Sequence, residues 1–136
     1  MKFLQEFKEG WDRGGLEFAT VPRGVLAELA AQPLPEVAGE LFEACFAEGK
    51  PGWTKGLSHD DVGRAFLEPK GWKGEQDYIA QSLLAEALQL LEHNRLLALY
   101  LTDAAANELD AKWCVTRAGR AAAKAGTVQR DLVAHQ

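Results

Sequence analysis

The chain has 136 residues, of which 47% are hydrophobic and 26% charged, and a formal net charge of −5 at pH 7. Such a length suits one domain with its own core, and the composition lies far from that of disordered chains. No run approaches the roughly 18 apolar residues of a membrane span, and Met1-Lys2-Phe3-Leu4-Gln5-Glu6 puts charges where a secretory signal needs an apolar stretch, so a cytoplasmic protein with no membrane partner is expected.

In chain order, Phe3, Leu4, Phe7 and Trp11 fall on one face of a short amphipathic helix that ends at Gly10 or at Gly14-Gly15. An aromatic stripe at this spacing ordinarily packs into a core, and an anchor for a partner is the other reading. After an irregular piece, Pro22 suits the first turn of a second helix with Val25, Leu26 and Leu29 as its apolar set, and Gln32-Pro33-Leu34-Pro35 stops it. The spacing of Val37, Ala38, Leu41, Phe42, Cys45 and Phe46 predicts a third helix over Glu36 to Glu48, with Pro35 in its first turn and Gly49 at its C-terminal cap. Its outer face is acidic.

Lys50 to Gly56 reads as a loop in which Trp53-Thr54 adds one short strand to a small sheet. Ser58 then caps a helix that ends at about Glu68, before Pro69. Asp61 stands where a capping box needs an acceptor, and Leu57 and Val62 have the spacing of a hydrophobic staple. The alternative for His59-Asp60-Asp61, an acid/base or metal cluster, lacks a second carboxylate or histidine motif to complete it. Glu68 to Gly74 is a turn-rich connector in which Lys70 and Lys73 flank Trp72.

The strongest periodicity follows. Ile79, Leu83, Leu84, Ala87, Leu88 and Leu91 repeat at close to 3.6 residues, which predicts one helix over Glu75 to His93 with Asn94 closing it in the left-handed conformation. Leu96 to Leu101 reads as a strand and Trp113-Cys114-Val115 as its return partner, with Asp103 to Asp110 as a polar hairpin tip. Thr116 caps a last helix from Arg117 to about Ala125, ended by Gly126. The remaining residues either continue as helix through Val128, Leu132 and Val133 or fray.

Cys45 and Cys114 have no CxxC or histidine neighbour at metal-ligand spacing and read as small buried thiols. His59, His93 and His135 are scattered singly. No catalytic, metal or cofactor site is therefore expected, and the chain reads as a non-enzymatic binding protein.

The order helix, short strand, helix, helix, strand, tip, strand is that of a winged-helix domain. The run from Leu88-Gln89-Leu90-Leu91-Glu92-His93-Asn94-Arg95-Leu96-Leu97 to Val115-Thr116-Arg117-Ala118-Gly119-Arg120-Ala121-Ala122 resembles bacterial regulators of the MarR and PadR kind. In those families a recognition helix ends in a Gly- or Asn-centred turn before the first wing strand, and the second wing strand runs into a "Leu-Thr-x-x-Gly" helix start. The resemblance implies a mainly α fold with a small β-hairpin, a winged helix-turn-helix with extra N-terminal helices. It divides the chain into an N-terminal helical extension on the core (1–35), a winged-helix-like domain (36–126) and a C-terminal tail (127–136). It also implies a regulatory role, and leaves open a homodimer formed through the N-terminal aromatic helix or the C-terminal tail.

Charge then ranks the partners. Residues 75–94 sum to −4 and 103–112 to −2, whereas 113–136 sum to +3, so the basic excess is confined to the C-terminal end. A helix with no Lys or Arg and an acidic wing tip repel a polyanion. A protein partner is accordingly ranked ahead of DNA, with Lys70, Trp72, Lys73, Gln76, Tyr78 and Gln81 as its contacts. For the DNA alternative, Lys70, Lys73, Arg117, Arg120 and Lys124 are the candidate phosphate contacts.

Overall fold

Proline and capping chemistry divide the front half of the chain into short helices. The computed structural model describes residues 24–72, 78–105 and 108–134; the expected N-terminal aromatic helix, Pro22, Lys73, Gln76 and His135 lie outside the described residues. Helix α1 (Val25–Ala31) ends at Gln32, and Pro33 caps α2 (Leu34–Cys45), with Pro35 in its first turn. The second of these helices starts two residues earlier and ends three residues earlier than its stripe predicts. Its last turn closes when the Phe46 N–H donates to the Phe42 carbonyl at 2.8 Å. Gly49, at φ 88°, sits in the turn beyond it and is not its cap.

The expected strand at Trp53-Thr54 is instead one helical turn, α3 (Pro51–Thr54), because Pro51 at its first position presets helical φ. The third strand position falls on Leu57. Its N–H donates to the Trp113 carbonyl at 2.9 Å and its carbonyl accepts the Trp113 N–H at 2.8 Å, an isolated antiparallel bridge. Helix α4 (His59–Leu67) follows with the expected capping box: the Asp61 N–H donates to Ser58 Oγ and the Ser58 N–H to Asp61 Oδ2, each at 3.1 Å. A short 3₁₀ turn, Glu68–Lys70, takes in Pro69.

Helix α5 (Tyr78–His93) packs its apolar stripe against α2, and also touches α1 and α4. It closes in a Schellman motif in which the Arg95 N–H donates to the Glu92 carbonyl and the Leu96 N–H to the Leu91 carbonyl, both at 2.9 Å. The left-handed residue is Arg95, at φ 64°, and not Asn94. Asn94 has a better use in the helix, where its Nδ2 donates to the Leu90 carbonyl at 2.9 Å.

Strands β1 (Leu97–Ala105) and β2 (Glu108–Val115) form an antiparallel hairpin in the register Leu97 to Val115, Leu99 to Trp113 and Leu101 to Ala111. Both strands run through much of the stretch expected as a polar tip. Pairing is a backbone property, and the ladder continues through Thr102–Asp110 and Asp103–Leu109 before a register irregularity near Ala105. Helix α6 (Arg117–Ala125) starts where Thr116 Oγ1 accepts the Gly119 N–H at 2.9 Å and ends at Gly126, left-handed at φ 71°. Helix α7 (Val128–Ala134) returns onto α2 and buries Val128 and Leu132.

The result is a mainly helical fold with one two-stranded hairpin among the described residues. One buried cluster runs through it, with Leu41, Phe42 and Phe46 facing Leu84, Leu88 and Leu91, and Val62, Leu67, Leu97 and Leu132 closing the sides. No described helix is long and apolar enough to cross a membrane.

Gly119 has the tightest backbone constraint. A Cβ there would overlap the Leu96 carbonyl oxygen and lie 2.9 Å from Val115 Cγ2. In urea melts, Leu88→Ala is expected to cost about 2–5 kcal/mol through the cavity it leaves, and Gly119→Ala about 1–3 kcal/mol through overpacking. Ser58→Ala removes only a cap, for about 0.5–2 kcal/mol.

Candidate functional site

The residues expected to bind a partner divide between two neighbourhoods. Trp72 and Gln81 meet in a cleft of about 160 Å³ between α4 and α5, together with His59, Gly63, Arg64 and Glu68. The Trp72 N–H donates to the Leu67 carbonyl at 3.2 Å, which folds the connector back over α4. Gly63, which α4 buries, lies under both α5 and the indole: a Cβ there would come 3.3 Å from Leu84 Cδ1 and 3.9 Å from Trp72 Cζ3. Tyr78 stands one helical turn before Gln81 and is 60% exposed. Lys70 faces the other way, toward α2: its Nζ lies 3.7 Å from Glu40 Oε1 and 5.2 Å from the Phe66 ring centroid. Lys73 and Gln76 are outside the described residues.

Trp72 therefore differs from the exposed anchor that the sequence suggests. It is half-buried and packs against the core, because the Gly71 turn (φ 105°) directs the chain back onto α4. Its Nε1 is enclosed, as is His59 Nε2, and neither has a hydrogen-bond partner among the described residues. Both atoms belong to residues that line the same cleft as Gln81.

The cations considered for phosphate are also differently employed. Arg120 stacks over Trp53, with its guanidinium carbon 4.6 Å from the ring centroid, and its Nη2 donates to the Trp53 carbonyl. This cation–π and hydrogen-bonded pairing holds α6 to α3. Arg117 and Lys124 are exposed on α6. Lys70 is engaged with Glu40. The sequence signal for the Arg120–Trp53 contact is nil, since the partners lie 67 residues apart with no shared pattern.

Titration follows from these positions. The Asp61 carboxyl is held below its ordinary range, first by the Ser58 backbone N–H, which outweighs the opposing effect of desolvation, and then by the Ser58 side chain and the positive charges of Lys112 and Arg64. The residue is thus committed to capping rather than to acid/base work. No group of three or more His, Cys, Asp or Glu side chains that could hold a metal ion occurs among the described residues. Burial pushes the Cys45 thiol up to about 12, so it stays protonated at neutral pH. Its Sγ donates to the Val62 carbonyl at 3.8 Å, and Cys114, half-buried on β2, donates to the Ala98 carbonyl at 3.6 Å.

Comparison with protein-family models, with curated proteins and with solved structures finds no match.

Two measurements check these assignments. Asp61, with its folded pKa depressed, contributes stability above its unfolded value of about 3.9 that is lost as pH falls through the folded value. Asp61→Asn should accordingly give a flatter stability profile below about pH 4 than the unchanged protein. Iodoacetamide at mildly alkaline pH should label Cys114 in the native state and reach Cys45 only after unfolding, as read by mass spectrometry.

Proposed function

We propose that this chain is a winged-helix module that acts by binding another protein, in a regulatory and non-enzymatic role. The order α2, Leu57, α4, α5, β1, β2 supports the winged-helix reading, because the bridge from Leu57 to Trp113 supplies the short strand that this architecture sets between its first and second helices. Helix α5 takes the recognition position in that frame, and its polar face then governs the choice of partner.

That face is the observation that carries the reading. Tyr78, Gln81, Glu86, Gln89, Glu92 and His93 occupy it, all exposed or half-exposed, and Tyr78 to His93 contains no Lys or Arg. Phosphate neutralisation dominates affinity for DNA, and a helix that brings two carboxylates and no cation gains nothing from it. Of the candidate phosphate contacts, Lys70 and Arg120 are engaged with Glu40 and Trp53, which leaves Arg117 and Lys124 on α6 as the exposed cations among the described members of that set. Tyr78, rigid and amphipathic, suits a protein interface, where tyrosine is enriched among the residues that dominate binding.

Fluorescence anisotropy with labelled duplexes at physiological salt should give no affinity tighter than the weak non-specific range of about 10⁻⁴ to 10⁻⁶ M. Capture on the immobilised protein should enrich a protein partner that Tyr78→Ala loses while its circular dichroism spectrum remains that of the folded protein. Trp72→Ala, by contrast, should lower the melting temperature itself, because the indole packs on the core. A nanomolar, salt-sensitive complex with any duplex that Arg117→Ala or Lys124→Ala weakens would replace the protein-binding reading with the DNA one.

A further inference from the structure

The hydrogen-bond parity of the hairpin follows from one bridge. Leu57 and Trp113 exchange both backbone hydrogen bonds, so both polar groups of Trp113 point away from β1. Leu99, opposite Trp113, therefore forms a non-hydrogen-bonded pair with it, and its own N–H and carbonyl point to the outer edge of β1. Strict alternation gives the same direction to Leu97 and Leu101. The Thr116 N–H, donated to the Leu96 carbonyl at 3.1 Å, fixes this parity a second time by placing the even-numbered groups on the β2 side.

On that outer edge, the backbone groups of Leu99 and Leu101 have no hydrogen-bond partner among the described residues. Their side chains are 41% and 61% exposed. Natural edges are usually blocked by lysine, proline, an inward charge or a bulge. Leu96 to Thr102 contains no charge and no proline, and the register irregularity comes only beyond Asp103. Among the described residues a neutral, leucine-bearing edge is left unpaired over Leu97 to Leu101.

We propose that this edge pairs with β1 of a second copy of the chain, antiparallel, to give a two-fold symmetric dimer with one continuous sheet. Three features favour a second copy as the occupant. Two identical antiparallel strands can pair odd residues with odd, so Leu99 meets Leu101 of the partner subunit and every outward N–H finds an outward carbonyl. The same pairing lays the exposed leucines side by side on one sheet face, where each copy covers the apolar surface of the other. The third is steric: Leu97 is 1% exposed against 61% for Leu101, so the strand leaves the body as it proceeds, and antiparallel pairing near Tyr100 sets the two bodies at opposite ends. Helix α7 offers less, because its Val128 and Leu132 are already buried against α2.

This inference rests on strand register and is independent of what binds α5. Sedimentation velocity over a concentration series should show the unchanged protein passing from monomer to dimer, and Leu101→Lys remaining monomeric with an unaltered circular dichroism spectrum and melt. Native hydrogen exchange supplies a readout that needs no variant. The Leu99 and Leu101 amides should gain protection as concentration rises, while those of Ala98 and Tyr100, bonded within the hairpin, stay protected throughout. A monomer at every concentration would overturn the proposal, as would a dimer that survives Leu101→Lys or one whose new protection falls outside β1.

Discussion

The junction between α5, the hairpin and α6 turns on one carbonyl group, that of Leu96. It accepts the Thr116 N–H and the Thr116 hydroxyl, each at 3.1 Å, while Gly119 packs its Cα against the same oxygen. Thr116 Oγ1 also lies 2.6 Å from the Arg95 carbonyl and accepts the Gly119 N–H. The end of α5, the start of β1, the end of β2 and the first turn of α6 thus meet at a single point. A left-handed Arg95 costs on the order of 1–2 kcal/mol against a glycine in that conformation, and the surrounding hydrogen bonds over-determine the turn enough to hold it. The hairpin is consequently aimed by the helix that precedes it and fixed by the helix that follows.

The same junction explains why the sequence was most readable there. Val115-Thr116-Arg117-Ala118-Gly119 carries a pattern because two independent demands fall three residues apart: an oxygen to cap the Gly119 amide, and a residue without Cβ to pass over Leu96. Ser58 and Asp61 were legible for the same reason, since a capping box is local chemistry written in four consecutive residues. The stripes of α2 and α5 were legible through their periodicity. What escaped is non-local. Leu57 became the bridging residue because Trp113 lies opposite it, and Trp53 was drawn into a helical turn by Pro51 despite its preference for strands. The candidate site suffered most, because Trp72 looked like a free aromatic until the Gly71 turn folded it onto Gly63, and Arg120 looked like a free cation until Trp53 stood beneath it.

Those two contacts have a joint effect on chemistry. A basic residue stacked on an aromatic ring and bonded to a carbonyl is spent on holding α6 to α3, and a lysine paired with Glu40 is spent on the α2 side of α4. The formal count of positive charges near the proposed recognition helix therefore overstates what a polyanion would meet. Carboxylates are employed in the same way: Asp61 is bound to Ser58 and lies 3.4 Å from Arg64. Within α4 Asp61 and Arg64 are paired with each other, and α5 presents outward amides, carboxylates, His93 and the exposed Tyr78.

The hairpin follows a different physical rule from the helices. Helices α5 and α7 both spend apolar surface on α2, and Leu41, Leu88 and Leu132 have no solvent exposure at all. The hairpin cannot do this along its full length, because only its base reaches the body: Leu97 and Trp113 are enclosed there, and the next residues on the same face, Leu99 and Leu101, emerge into solvent. A two-stranded hairpin that projects in this way is marginally stable by itself. Leu57 buttresses it on the β2 side with two backbone hydrogen bonds, and the β1 side has no equivalent among the described residues. The asymmetry is what singles out β1, since a strand bonded on one side and leucine-faced on the other gains both backbone pairing and apolar cover from a further strand.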